Sequence, residues 1–118
     1  MLPARARLAQ SRGFKAVYGR GRSYVTDLIV VYVLPRPGGS RVRFGFSVGK
    51  KVGGAVQRNR AKRLMREAAR TLLPRISGGY DIVVVARSSA AAASFADVRA
   101  DLEKLLMRAG VVSGAGEE

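Results

Sequence analysis

Lys50 and Lys51, followed by Arg58, Asn59, Arg60, Lys62, Arg63 and Arg66, are the residues of this 118-residue chain whose types and spacing fit a recognisable chemistry, the holding of anions. Guanidinium groups offer planar forks of N–H donors that match phosphate oxygens, and ammonium groups add point charge. Arg58, Lys62, Arg66 and Arg70 recur every fourth residue. On a helix they stand about 5–6 Å apart along one line, with Asn59 and Arg63 beside them, a spacing that can follow phosphates. A merely solvated helix face is the ordinary alternative, but such a face mixes signs for i, i+4 pairing. Between Lys50 and Arg70 the only acid is Glu67. Like charge left uncompensated costs a helix stability, and a polyanionic partner removes that cost.

Bond-breaking chemistry has little to work with. The chain has no His and no Cys, which excludes a thiol nucleophile, a disulfide framework and a zinc site of the usual ligands. Asp27, Asp81, Asp97, Asp101 and Glu103 are scattered over a loop, a strand start and one helix, positions suited to turns and caps. They predict neither a general acid–base pair nor a metal-holding carboxylate cluster. The stretch Gly45–Lys51, GFSVGKK, approaches a nucleotide-binding P-loop, but it is one residue short and Lys51 replaces the Ser or Thr that would bind magnesium.

Lys and Arg number 22 against 8 Asp and Glu, a net charge of +14, the electrostatic footprint of a nucleic-acid binder. The length suits one domain, 1–118, that buries about two thirds of its unfolded surface around a single core. The longest apolar run, Leu28–Leu34, is far short of a membrane span, and the first residues lack the apolar run of a signal peptide. The expectation is a soluble, cytoplasmic protein that takes no small-molecule substrate and contacts no membrane.

The basic residues need a frame. Residues 1–10 read as an arm, mobile or laid along the body. Ser11 can cap a short helix that Gly19 and Gly21 stop, with Phe14, Val17 and Tyr18 on one side. Phe14 and Tyr18 are either core or a platform on which bases stack, and their spacing does not choose. From Ser23 the chain is β-rich, broken at Asp27, and Leu28–Leu34 is apolar on both faces, as for a central strand covered on both sides. Pro35, Pro37, Gly38 and Gly39 turn the chain, and Arg41–Val48 is expected to return as the second strand of a hairpin. Its Val42, Phe44, Phe46 and Val48 share one face; Arg43, Gly45, Ser47 and Gly49 share the other, leaving room above the sheet.

Gly53 and Gly54 then lead into the basic helix, whose Ala61, Leu64, Met65, Ala68, Ala69 and Leu72 form the core side. Pro74, Gly78 and Gly79 connect it to a strand, Tyr80–Arg87. Ala90–Ala93 reads as a linker. Ser94, with Asp97 three residues on, caps a last helix that buries Val98, Leu102, Leu105 and Leu106. The tail 111–118 is expected to be unstructured. The order predicts an α/β (α+β) two-layer sandwich with three helices on a mixed sheet of about four strands.

The run SVGKKVGGAVQRNRAKRLMREAAR closely resembles the signature of the bacterial ribonuclease P protein subunit: a Lys-Lys pair, Ala-Val-x-Arg-Asn-Arg-x-x-Lys-Arg, then Arg-Glu. Here these are Lys50, Lys51, Ala55, Val56, Arg58, Asn59, Arg60, Lys62, Arg63, Arg66 and Glu67. Gly49 stands where the family usually has Ser, and Gly54 where it often has Lys or Asn. The likeness spans Arg7 to Leu106 and is most specific over Phe46–Arg70.

The resemblance implies a left-handed crossover through the basic helix. It also implies a chain that is inert alone and serves an RNA that removes the 5′ leader of precursor tRNA. Lys50, Lys51, Arg58, Asn59, Arg60, Lys62, Arg63 and Arg66 would contact the catalytic RNA, and Phe14, Tyr18 and Tyr32 would line a cleft for the single-stranded leader. No cofactor is expected on the protein, and magnesium is expected at the RNA active site. A structural RNA-binding protein of ribosomal type is the competing expectation. A basic membrane-surface protein is disfavoured, because the helix's apolar side is rich in Ala and lacks Trp and Phe.

Overall fold

Alternating Ile29, Val31 and Val33 on one side and Val30, Tyr32 and Leu34 on the other already require packing on both faces of their strand. The computed structural model, which describes residues 8, 11–39 and 41–112, supplies it. Its elements are α1 (Ser11–Arg20), β1 (Arg22–Val25), β2 (Ile29–Pro35), β3 (Val42–Ser47), α2 (Ala55–Leu72), β4 (Tyr80–Ala86) and α3 (Phe95–Arg108). Short 3₁₀ turns cover Lys50–Val52, Leu73–Arg75 and Ser88–Ala92.

The strand order is β1-β2-β4-β3, antiparallel except for the parallel pair β3–β4 that α2 connects. This corrects the expected hairpin: β2 and β3 are not partners, because β4 lies between them. The chain from Arg36 to Arg41 is long enough to step across a strand, and β4, with Ile82, Val83 and Val84 all buried, needs a neighbour on each side. The entry to β4 runs tight against that turn. Arg36 N–H donates to Gly79 O at 2.9 Å, and a Cβ on Gly79 would lie 2.8 Å from the backbone of Gly39.

One face of the sheet carries the main core. Ile29, Val31, Phe44, Ile82 and Val84 pack there against Ala61, Met65, Ala68, Ala69 and Leu72 of α2 and Val98, Leu102, Leu105 and Leu106 of α3. The expected core side of α2 is thus the buried one, with Leu64 half-buried at its border. The opposite face carries α1 through a smaller cluster of Leu8, Val17 and Val83, with Phe14, Tyr32, Leu34 and Val85 around it. Leu8 is the described residue of the arm. It is buried and its N–H donates to Phe44 O at 2.5 Å, so at that point the arm is laid on the body.

Two further expectations change. Ala90–Ala93 is no slack linker: it belongs to a closed turn in which Ala90 and Ala93 are buried. The expectation of an unstructured tail from 111 fails at its start: Val111 and Val112 are buried and both donate to Leu106 O. Gly110, at φ +77°, makes the left-handed helix stop that folds these valines back onto α3; residues 113–118 lie outside the described part. As expected, Ser94 caps α3, its side chain accepting from Asp97 N–H at 3.1 Å.

Candidate nucleic-acid interface

Val52, buried at the foot of the turn Lys50–Val52, pins a loop whose two lysines stand exposed. The chain enters α2 at Gly54 with no side-chain cap and no acid in the first turn. The helix therefore presents a positive dipole end beside Lys50 and Lys51, an arrangement that favours anions. Along α2, Arg58 and Lys62 are half-buried on one flank, while Asn59, Arg63 and Arg66 are exposed. None of Lys50, Lys51, Arg58, Lys62, Arg63 and Arg66 is in an ion pair with a described carboxylate. Glu67, the one acid of the stretch, is spent on Arg70, Nε to Oε1 at 3.0 Å.

Arg60, also expected to contact the catalytic RNA, has partners within the chain. Its guanidinium donates through Nη1 to Ala91 O at 3.1 Å and through Nη2 to Ala93 O at 2.8 Å. It is engaged with the chain's own backbone rather than standing in the open stripe.

On the other face of the sheet the three aromatic residues come together. The rings of Tyr18 and Tyr32 meet edge to face at 4.9 Å, and Phe14 meets Tyr18 edge on at 6.3 Å. Tyr18 is 42% exposed. Phe14 turns inward over Gly45, so the room expected above β3 is filled at that point by protein. Beyond the aromatics, Val25, Val30, Val85 and Ser47 continue the same face towards the sheet end that leads into Lys50. Val25 is 47% exposed. Exposed and half-buried apolar side chains beside a tyrosine make a surface on which bases can stack.

Asp81, read from sequence as a turn or cap residue, is instead a buried carboxylate on this face. Arg43 grips it side-on, Nε to Oδ1 at 2.8 Å and Nη2 to Oδ2 at 2.9 Å, and Arg36 Nη1 adds a contact at 3.3 Å. The hydrogen bond to Asp81 raises the Arg43 guanidinium above its ordinary value, with burial opposing and the charge of Asp81 assisting. The signal was present in sequence: one Arg and one Asp, each alone in an apolar strand. Only knowledge that β3 pairs with β4 puts Arg43 opposite Asp81.

Among the described residues no group of three or more His, Cys, Asp or Glu converges on a point that could hold a metal ion. No helix among the described residues is long and apolar enough to cross a membrane.

A family model described as Ribonuclease P matches residues 2–110. The ribonuclease P protein component of Symbiobacterium thermophilum is 46% identical over 93% of this chain and 96% of its own length. That of Acidothermus cellulolyticus is 46% identical over 92% and 91%. Among solved structures, the Staphylococcus aureus RNase P protein superposes with a TM-score of 0.82 at 32% identity, covering 92% of this chain and 98% of that one. The Thermotoga maritima RNase P protein does so with 0.78 at 34% identity, covering 86% and 98%.

Proposed function

The chain belongs to the bacterial ribonuclease P protein family, the protein component of an RNA-based endonuclease, and we propose that it holds two RNAs on opposite faces of its sheet. Lys50, Lys51, Arg58, Asn59, Lys62, Arg63 and Arg66 contact phosphates of the catalytic RNA. Phe14, Tyr18 and Tyr32 form the floor and wall of a cleft for the single-stranded 5′ leader of precursor tRNA. The protein works in the cytoplasm and cuts nothing itself. Hydrolysis, and the magnesium it uses, rest with the RNA.

The observation that carries this reading is the contact of Tyr18 and Tyr32 at 4.9 Å, with Tyr18 left 42% exposed. A pair committed wholly to core would be covered. Stacking on an aromatic ring tolerates any base, which suits leaders of many sequences.

The test compares Tyr18→Ala and Tyr32→Ala in holoenzyme reconstituted with a bacterial ribonuclease P RNA. Affinity for precursor tRNA should fall by about 1–3 kcal/mol per lost stack while affinity for mature tRNA, which has no leader, is kept. Equal losses for both ligands, or a collapse in melting temperature without selective loss, would return the aromatics to the core.

A further inference from the structure

The segment from Arg87 to Ala93 is bonded through backbone carbonyls both to the basic helix and to the turn between β1 and β2. Towards α2, Arg60 closes its fork on Ala91 O and Ala93 O at 3.1 and 2.8 Å. Towards the sheet, Arg87 donates from Nη1 to Thr26 O at 2.9 Å and from its backbone N–H to Leu28 O at 2.8 Å, and Ser89 Oγ donates to Asp27 O. Thr26–Leu28 is the turn between β1 and β2, flanked by Val25 and Val30 on the face that carries Tyr32. The segment is stiffened from within. Ala90 N–H reaches Arg87 O at 2.9 Å, Ala93 N–H reaches Ala90 O at 3.2 Å, and both alanines are buried.

We infer that Arg87–Ala93 is a strut that fixes the basic helix relative to the leader face, and that Arg60 is a positioning residue acting through this strut and not by contact with RNA. Two features of Arg60 support this. At 100° per residue it lies about 130° around the helix from the mean direction of the proposed contacts Arg58, Asn59, Lys62, Arg63 and Arg66. Its two terminal nitrogens already have acceptors, so the end-on edge of its fork is closed on the chain's own backbone. Arg60 also sits early in α2, where a tether fixes the helix start, and the turn of Lys50–Val52 packs against the strut. Loosening the strut would let the basic loop and the leader face move independently. Catalytic RNA and leader would then no longer be presented in one fixed geometry, although every proposed contact residue remains. The inference rests on the leader reading given above.

The experiment uses holoenzyme reconstituted from the full chain and a bacterial ribonuclease P RNA, with precursor and mature tRNA as ligands and melting followed in parallel. Arg60→Ala and Arg60→Lys should each lower the ratio of precursor to mature affinity by about tenfold, the size of one charged hydrogen bond. Lysine should not rescue, because an ammonium cannot span two carbonyls as the fork does. The slope of log affinity for the catalytic RNA against log salt should stay at its wild-type value, since no phosphate contact is lost.

Arg87→Ala, at the other end, should give the same loss, and the double variant Arg60→Ala with Arg87→Ala should lose no more than the worse single one. Arg60→Lys keeps the stem and charge, and serves if the alanine variant does not fold. A slope lowered by about one in Arg60→Ala and restored in Arg60→Lys would make Arg60 a phosphate contact and overturn the inference. So would additive losses that only track melting temperature. A wild-type ratio in the Arg60 variants while Tyr32→Ala still loses precursor selectively would remove the strut alone. No selective loss in Tyr32→Ala would remove the leader reading and this inference with it.

Discussion

Phe14 lies directly over Gly45: a Cβ at position 45 would sit 2.4 Å from Phe14 Cζ and 2.6 Å from Cε1. Helix α1 comes down onto the sheet at the depth it does because β3 has no side chain there. The positions of Phe14 and of Tyr18, one turn later on the same helix, are therefore written partly in a strand residue that has no side chain of its own.

Gly45→Ala should consequently push Phe14 and α1 outward. The overpacking should cost about 1–3 kcal/mol, seen as a lower urea midpoint with unchanged slope. Affinity of the holoenzyme for precursor tRNA should fall while that for mature tRNA holds. A destabilised variant that keeps full precursor selectivity would show that the height of α1 over the sheet does not matter to the leader.

Arg58→Ala and Lys62→Ala should each weaken binding to the catalytic RNA and lower the slope of log affinity against log salt by about one. Arg70→Ala is the control, since its charge is already met by Glu67. Its slope should match wild type. If Arg58→Ala and Lys62→Ala leave both affinity and slope at their wild-type values, the stripe is only a solvated face.

Within α2, Met65 and Leu64 are neighbours with different fates: Met65 is 0% exposed in the main core, and Leu64 stands half-buried at its edge. Met65→Ala should cost about 2–5 kcal/mol in chemical denaturation. Leu64→Ala should cost about half as much, because part of its surface is wet already. A larger loss at Leu64 would mean that the border of the core is misplaced.

Arg43→Ala leaves the Asp81 carboxylate, 6% exposed, with Arg36 alone at 3.3 Å. The loss should be about 1–3 kcal/mol, held down because Arg43 is itself 40% exposed and screened by water. The pH dependence has a definite sign. A group whose folded pKa is raised stabilises fully below its unfolded pKa and loses that contribution only as pH rises through the folded one. For an arginine raised above its ordinary value, that window lies beyond ordinary alkaline conditions. The difference in unfolding free energy between Arg43→Ala and wild type should stay flat from neutral to moderately alkaline pH, and a steady decline across that interval would contradict it.

Much of this architecture was legible because its signals are local. Alternating apolar residues in β2, the four-residue recurrence in α2 and the Ser94–Asp97 cap depend only on neighbours in the chain. What depends on a partner far away was not. The wedging of β4 between β2 and β3 cannot be read from a Pro/Gly turn that suits a hairpin equally well. Arg60 and Arg58 are the same residue type in one motif, and only the carbonyls of Ala91 and Ala93 separate them. Gly45 was read as open space, and it is space that Phe14 occupies. Gly110 did carry a local sign, a glycine at the end of an apolar-faced helix, with two valines after it to be buried.

Because β4 is the last strand among the described residues and sits inside the sheet, β3 has no strand neighbour until residues 80–86 exist. A nascent chain that has left the ribosome only as far as α2 carries its full basic stripe on a helix with neither β4 nor α3 to bury its apolar side. The sheet then closes through long-range pairings, the class that forms slowly. During synthesis, then, cationic character precedes shape: the unfinished chain can attract any RNA nearby, and discrimination arrives only when the C-terminal third docks. Nascent chains arrested before Tyr80 should bind structured and unstructured RNA alike, and those arrested after α3 has emerged should not.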